Sequence, residues 1–150
     1  MNELKVNLPH RWETVLADTE KEYFFPEQIT QLMKNWYKQP AIYRWNIYKN
    51  EPEDQKIIYI GEAKQLCPQR INHYLNPGRD QQTNKRIKEI FQNYSHQGFK
   101  IRLETLQFDR IAVGDFSLTK DDISDKHIRR FIEELLITYY RRKGFTILNL

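Results

Sequence analysis

The chain has 150 residues, 39% hydrophobic and 29% charged, which suits one globular domain able to bury a substantial core. No apolar run approaches a membrane span, and MNELKVNLPHRWE lacks the apolar centre of a secretory signal, so membrane-spanning and exported classes are set aside and a cytoplasmic location is expected. A single cysteine, Cys67, leaves no internal disulfide and no cysteine-based zinc site, while the net charge of +4 points weakly to a polyanionic partner.

In chain order, the first clear element is FFPEQITQLMKNWYKQP, residues 24–40. Pro26 suits a first helical position, and Ile29, Leu32, Met33, Trp36 and Tyr37 recur at helical spacing, so an amphipathic helix used for packing or docking is predicted. AIYRWNIY (41–48) and the strand at 56–61 flank the polar loop KNEPEDQ and predict an antiparallel hairpin. Cys67-Pro68 marks a helix entrance, because proline is tolerated in a first turn. PQRINHYL forms that helix and Asn76-Pro77-Gly78 ends it.

A second helix is predicted over TNKRIKEIFQNY, with Thr83 as N-cap and Ile87, Ile90, Phe91 and Tyr94 on one face. Gly98 closes it, FKIRLETLQF reads as a third strand, and 109–124 reads as a surface loop. The last helix is KHIRRFIEELLITYYRRK, capped by Asp125 and ended by Gly144, with an extended tail, FTILNL, after it. Residues 1–40 hold five Lys/Arg against six Asp/Glu, and 41–150 hold nineteen against fourteen, so the positive excess lies with the hairpin and the segments C-terminal to it.

Side chains alternate across a strand, so Tyr43 shares a face with Ala41, Trp45 and Ile47, and Tyr59 with Ile57 and Gly61. In a suitable register the two phenols meet on one sheet face, with Gly61 leaving space beside them. From this pattern alone they read as core residues. Arg70 falls in the first turn of its predicted helix, where free N–H groups and the dipole favour an anion, with His73 and Tyr74 on the same side. Taken singly, this too reads as a solvated arginine near a surface histidine.

On the last helix, at about 100° per residue, Ile128, Ile132, Leu135, Leu136, Ile137, Tyr139 and Tyr140 form an apolar arc. Glu133 falls inside it and Glu134 outside. A carboxylate on a largely buried face needs a partner or a metal, which singles out Glu133.

Ala41-Ile42-Tyr43 and Tyr59-Ile60-Gly61, with Arg70, Tyr74, Glu133 and Asn149 after them in order, resemble the GIY-YIG nuclease family over residues 40–150. The resemblance implies an α+β fold with a small three-stranded antiparallel sheet flanked by helices. Residues 1–39 lie outside the resemblance and are expected to form an N-terminal extension whose one amphipathic helix packs on the same domain. It implies an endonuclease hydrolysing phosphodiester bonds of DNA with one divalent ion, Mg²⁺ or Mn²⁺. By position, Tyr43 or Tyr59 would activate or orient the attacking water, with Tyr43 favoured as the base, and Arg70 would stabilise charge on the phosphate. Glu133 would hold the metal.

Tyr74 occupies a position that is histidine or tyrosine in the family, and His73 lies one residue away. His73, Lys64 and Asn149 are candidates for nucleic-acid contact, Asn149 alternatively fixing the end of the chain. This sequence departs from the pattern at Ala41, which replaces a glycine, at Glu62, where a small or basic residue is common, and by one extra residue between Tyr59 and Arg70. The alternatives are a non-cleaving nucleic-acid-binding protein of the same fold and an interaction module built on the N-terminal helix. A homodimer is left open.

Overall fold

The structure, a computed structural model, describes residues 1–54 and 56–150. Its elements in order are β1 (Val6–Asn7), β2 (Arg11–Thr14), β3 (Leu16–Asp18), β4 (Lys21–Glu22), α1 (Gln31–Trp36), β5 (Ala41–Tyr48), β6 (Ile57–Ala63), α2 (Ile71–Leu75), α3 (Gln82–His96), β7 (Lys100–Gln107), β8 (Ile111–Val113), β9 (Phe116–Leu118), α4 (Lys126–Arg142) and β10 (Thr146–Ile147). The class is α+β. No described helix is long and apolar enough to cross a membrane.

The hairpin of β5 and β6 forms because both strands are rich in β-branched and aromatic residues, which pack well on a pleated surface. β7 pairs antiparallel on the other side of β5, so β6-β5-β7 is a three-stranded antiparallel core. The sheet is wider than the expected three strands. β2 adds antiparallel to β7 and β10 adds parallel to β6, giving the order β10-β6-β5-β7-β2.

Strand alternation separates two apolar layers. Tyr43, Trp45, Ile47, Ile101 and Leu103 pack with Met33, Ile71, Ile87 and Phe91 on the side of α1–α3. Ile42, Ile58, Ile60 and Leu106 pack with Ile132, Leu136 and Tyr140 of α4 on the other. An ion pair joins β5 and β7 across their ladder, where Arg44, opposite Glu104 in register, donates from Nε to Glu104 Oε1 at 2.5 Å.

Four sequence expectations are corrected. The helix over 24–40 shrinks to the six residues of α1. The backbone at Phe24 and Phe25 is instead bridged to β7, with Phe25 N–H donating to the Ile101 carbonyl at 2.9 Å, and a residue preceding proline resists the helical region. Thr30 then starts the helix, its side chain accepting from Met33 N–H at 3.2 Å. Residues 1–39 thus contribute four strands as well as a helix.

The stretch 109–124 is structured rather than a plain loop. β8 and β9 form a hairpin about Gly114-Asp115, Gly114 taking the φ of 62° that such a turn requires of its first residue, and β1 completes a small sheet. Ile111 is fully buried there. Thr83 lies inside α3 rather than capping it, since that helix begins at Gln82. Tyr139, placed on the apolar arc of α4, is 46% exposed.

Candidate functional site

The register of the hairpin sets Tyr43 opposite Gly61 and Trp45 opposite Tyr59, all on the face that meets α2 and α3. Tyr43 lies against Gly61 so closely that a Cβ there would sit 2.3 Å from the Tyr43 hydroxyl oxygen, so only glycine fits. Tyr43 and Tyr59 do not bond to each other; both converge on Tyr74 from α2. The hydroxyls of Tyr43 and Tyr74 are 2.6 Å apart, and the Tyr59 and Tyr74 rings meet edge to face with centroids 6.1 Å apart. Tyr43 and Tyr74 are fully buried, whereas Tyr59 is half-buried. Burial lifts all three phenols above their ordinary range, and Arg70 opposes that rise in each.

Cys67 has an extended backbone (φ −125°, ψ 130°), so the chain kinks there and the helix that continues into α2 starts at Pro68, with Arg70 in its first turn as the sequence predicts. The amide of Arg70 is not free as expected, because the Arg70 N–H already donates to the Gln65 carbonyl at 3.2 Å. Its side chain, half-buried, is what bears on the site. Burial, then the Arg70 charge, hold His73 below the usual imidazole value. His73 is half-buried on α2 and Lys64 is exposed just after β6.

Glu133 comes from α4 and is half-buried, while Glu134 is exposed, as helical phase predicts. Burial pushes the Glu133 carboxyl up to about 7, helped by the nearby carboxylates of Glu62 and Glu134 and opposed by Arg70 and the Glu62 amide. Glu62 itself, the residue that departs most from the expected pattern, is held from the α4 side. Arg129 Nε donates to Glu62 Oε2 at 2.6 Å, and Arg129 Nη1 donates to the carbonyls of Ile123 and Ser124, each at 3.0 Å.

Sequence reasoning misses Arg129. It sits one helical turn before Glu133, on the same side of α4, and that i, i+4 spacing is the signal that could have found it.

Asn149 fastens the tail. Its side-chain amide donates to the Ile60 carbonyl at 2.7 Å and accepts from the Ile60 N–H at 3.0 Å, so it stands in for a strand neighbour beside Tyr59 and Gly61. Arg86 of α3 donates to the Leu148 carbonyl at 3.2 Å from the other side.

Tyr43, Tyr59, Tyr74, Arg70, Glu62 and Glu133 are therefore gathered at one end of the sheet, where β6 leaves it. Among the described residues no group of three or more His, Cys, Asp and Glu side chains could by itself enclose a metal ion. The donor set at this end is one inward carboxylate, Glu133, with Glu62 beside it. A hard divalent ion held there would need water to complete most of its oxygen shell.

No family model matches the chain, and no solved structure matches it. A stretch of 54 residues is 41% identical to UvrABC system protein C of Mycoplasmoides gallisepticum, covering 36% of this chain and 8% of that protein. The match thus spans less than a tenth of the relative's length.

Proposed function

We propose that the chain is a divalent-metal-dependent endonuclease of the GIY-YIG type that hydrolyses phosphodiester bonds in DNA. The observation that carries this reading is the convergence of three tyrosines, Arg70 and Glu133 about Gly61 at one sheet end. The ordered motif residues and the local similarity to UvrABC system protein C support DNA as substrate.

Each side chain then has a task its surroundings suit. Arg70 holds the scissile phosphate and stabilises the charge that develops on it, using its planar fork of donors. Tyr59, the half-buried phenol, orients the attacking water, while the buried Tyr43 and Tyr74 hydroxyl pair fixes the position of the hairpin and α2. This moves the favoured water contact from Tyr43 to Tyr59, because Tyr43 is sealed from solvent with its hydroxyl already paired. Glu133 would hold Mg²⁺ or Mn²⁺, and Arg129 neutralises Glu62 beside it. When bound, the ion supplies Lewis-acid stabilisation of the phosphate and a more acidic water.

The test incubates the protein with plasmid, linear duplex and single-stranded DNA, and with RNA, in Mg²⁺, Mn²⁺ or EDTA, beside Glu133→Ala and Arg70→Ala. Metal-dependent DNA cleavage lost in both variants is expected. No cleavage of any substrate by wild type would sink the reading, and binding without cutting would favour the non-cleaving alternative.

A further inference from the structure

The sheet end that carries the candidate site continues into a cleft with no role so far. Beyond β6 the strand order runs β5, β7, β2, and strands about 4.8 Å apart put the end of β7 roughly 10 Å from Glu62. There a cleft of about 820 Å³ opens between the segment after α1 and the turn Lys120–Ser124. Ala41 and Thr105 line its floor. Arg129 connects the two places, for the Ile123 and Ser124 carbonyls it binds belong to the cleft wall.

The lining discriminates between kinds of occupant. Trp36 stands at the cleft 53% exposed, an indole that the core does not use. The Gln39 side chain is exposed and makes no hydrogen bond among the described residues, leaving both a donor and an acceptor. The charges are Glu13 and Asp121 against one Lys120, whose ammonium already donates to the Gln107 side-chain carbonyl. Two carboxylates and a committed lysine make the cleft a poor place for a phosphate. A flat, uncharged ring with a hydrogen-bonding edge fits, since bases stack on exposed aromatics whatever their identity.

We propose that this cleft is a subsite for one unpaired base of the DNA strand whose phosphate lies against Arg70, the base stacking on Trp36 and presenting its edge to Gln39. This rests on the nuclease reading for the direction of the strand across the sheet end. The subsite makes the protein prefer DNA with an unpaired base near the bond to be cut, because a paired base must first leave its stack.

The test measures binding in EDTA, so that nothing is cut, of a fluorescein-labelled single-stranded oligodeoxynucleotide and a blunt duplex of the same sequence. Wild type, Trp36→Ala and Trp36→Phe are compared, with thermal unfolding to show that each is folded. Trp36→Ala should weaken single-strand binding about 5- to 150-fold, the range that base–aromatic stacking supplies, and leave duplex binding unchanged. Trp36→Phe should keep most of the affinity. Unchanged single-strand affinity in Trp36→Ala would leave the cleft to another occupant and overturn the proposal, as would equal loss on both substrates.

The two readings fail separately. Trp36-dependent single-strand binding by a protein that cuts nothing removes the nuclease and keeps the subsite. Metal-dependent cutting that is indifferent to Trp36 and to unpaired bases keeps the nuclease and removes the subsite.

Discussion

Arg129 on α4 and Glu62 on β6 form an ion pair at 2.6 Å with only 4% and 14% of their side chains exposed. Removing one partner strands a buried charge, which costs more than the pair is worth. Arg129→Met should therefore destabilise the protein by about 3 kcal/mol, with Arg129→Met/Glu62→Met recovering much of the loss. Denaturant unfolding checks this, and a double variant no better than the single would refute it.

Gly61→Ala presses a methyl group onto the Tyr43 ring, its nearest approaches being 2.3 Å to the hydroxyl oxygen and 2.4 Å to Cζ. A cost of about 1–3 kcal/mol is expected. The clash lies with one side chain, so Gly61→Ala and Tyr43→Ala should be clearly non-additive in a double-mutant cycle. Additive effects would place the strain elsewhere.

Glu133 gives a pH signature without any substrate. Its folded carboxyl titrates near 7, above the usual carboxylate value of 4.5, so the folded state holds this proton more tightly than the unfolded chain. The associated stability is fully present below the unfolded pKa and is lost as pH rises through about 7. In EDTA, Glu133→Gln should be more stable than wild type at pH 8, by about 1 kcal/mol once partial solvent exposure is discounted, and indistinguishable near pH 4. Melting temperatures across that range decide it, and a Gln variant less stable at pH 8 would contradict the assignment.

Tyr59→Phe and Tyr43→Phe separate the two phenols. The first removes the hydroxyl of the half-buried ring and should lower kcat by about 10²-fold or more with little change in stability. The second leaves the buried Tyr74 hydroxyl without its partner and should cost about 1–2 kcal/mol of stability. Single-turnover cleavage and denaturant unfolding of both variants read these effects apart. The opposite pattern would return the water contact to Tyr43.

Local chemistry made much of this legible. The strand predicted over 41–48 is β5, and the one predicted over 56–61 overlaps β6 from Ile57 to Gly61, because aromatic and β-branched residues mark both. Helical phase turned Glu133 inward and Glu134 outward, since α4 is long and uninterrupted. The features that were not legible depend on partners far along the chain. Phe24 and Phe25 give up a helical pattern to bridge β7, and the Arg129–Glu62 pair spans 67 residues. Nor does local sequence show that the amide of Arg70 is already taken by Gln65.

The Asn149 amide that completes the backbone pairing of Ile60 is separated from it by 89 residues. At typical rates of about 5–20 residues per second, the ribosome makes Asn149 roughly 4–18 s after Ile60. Until then the strand bearing Tyr59 lacks the Asn149 contact, and α4 with Glu133 is made only late in that interval. A nascent chain therefore carries the hairpin before it has the rest of the site.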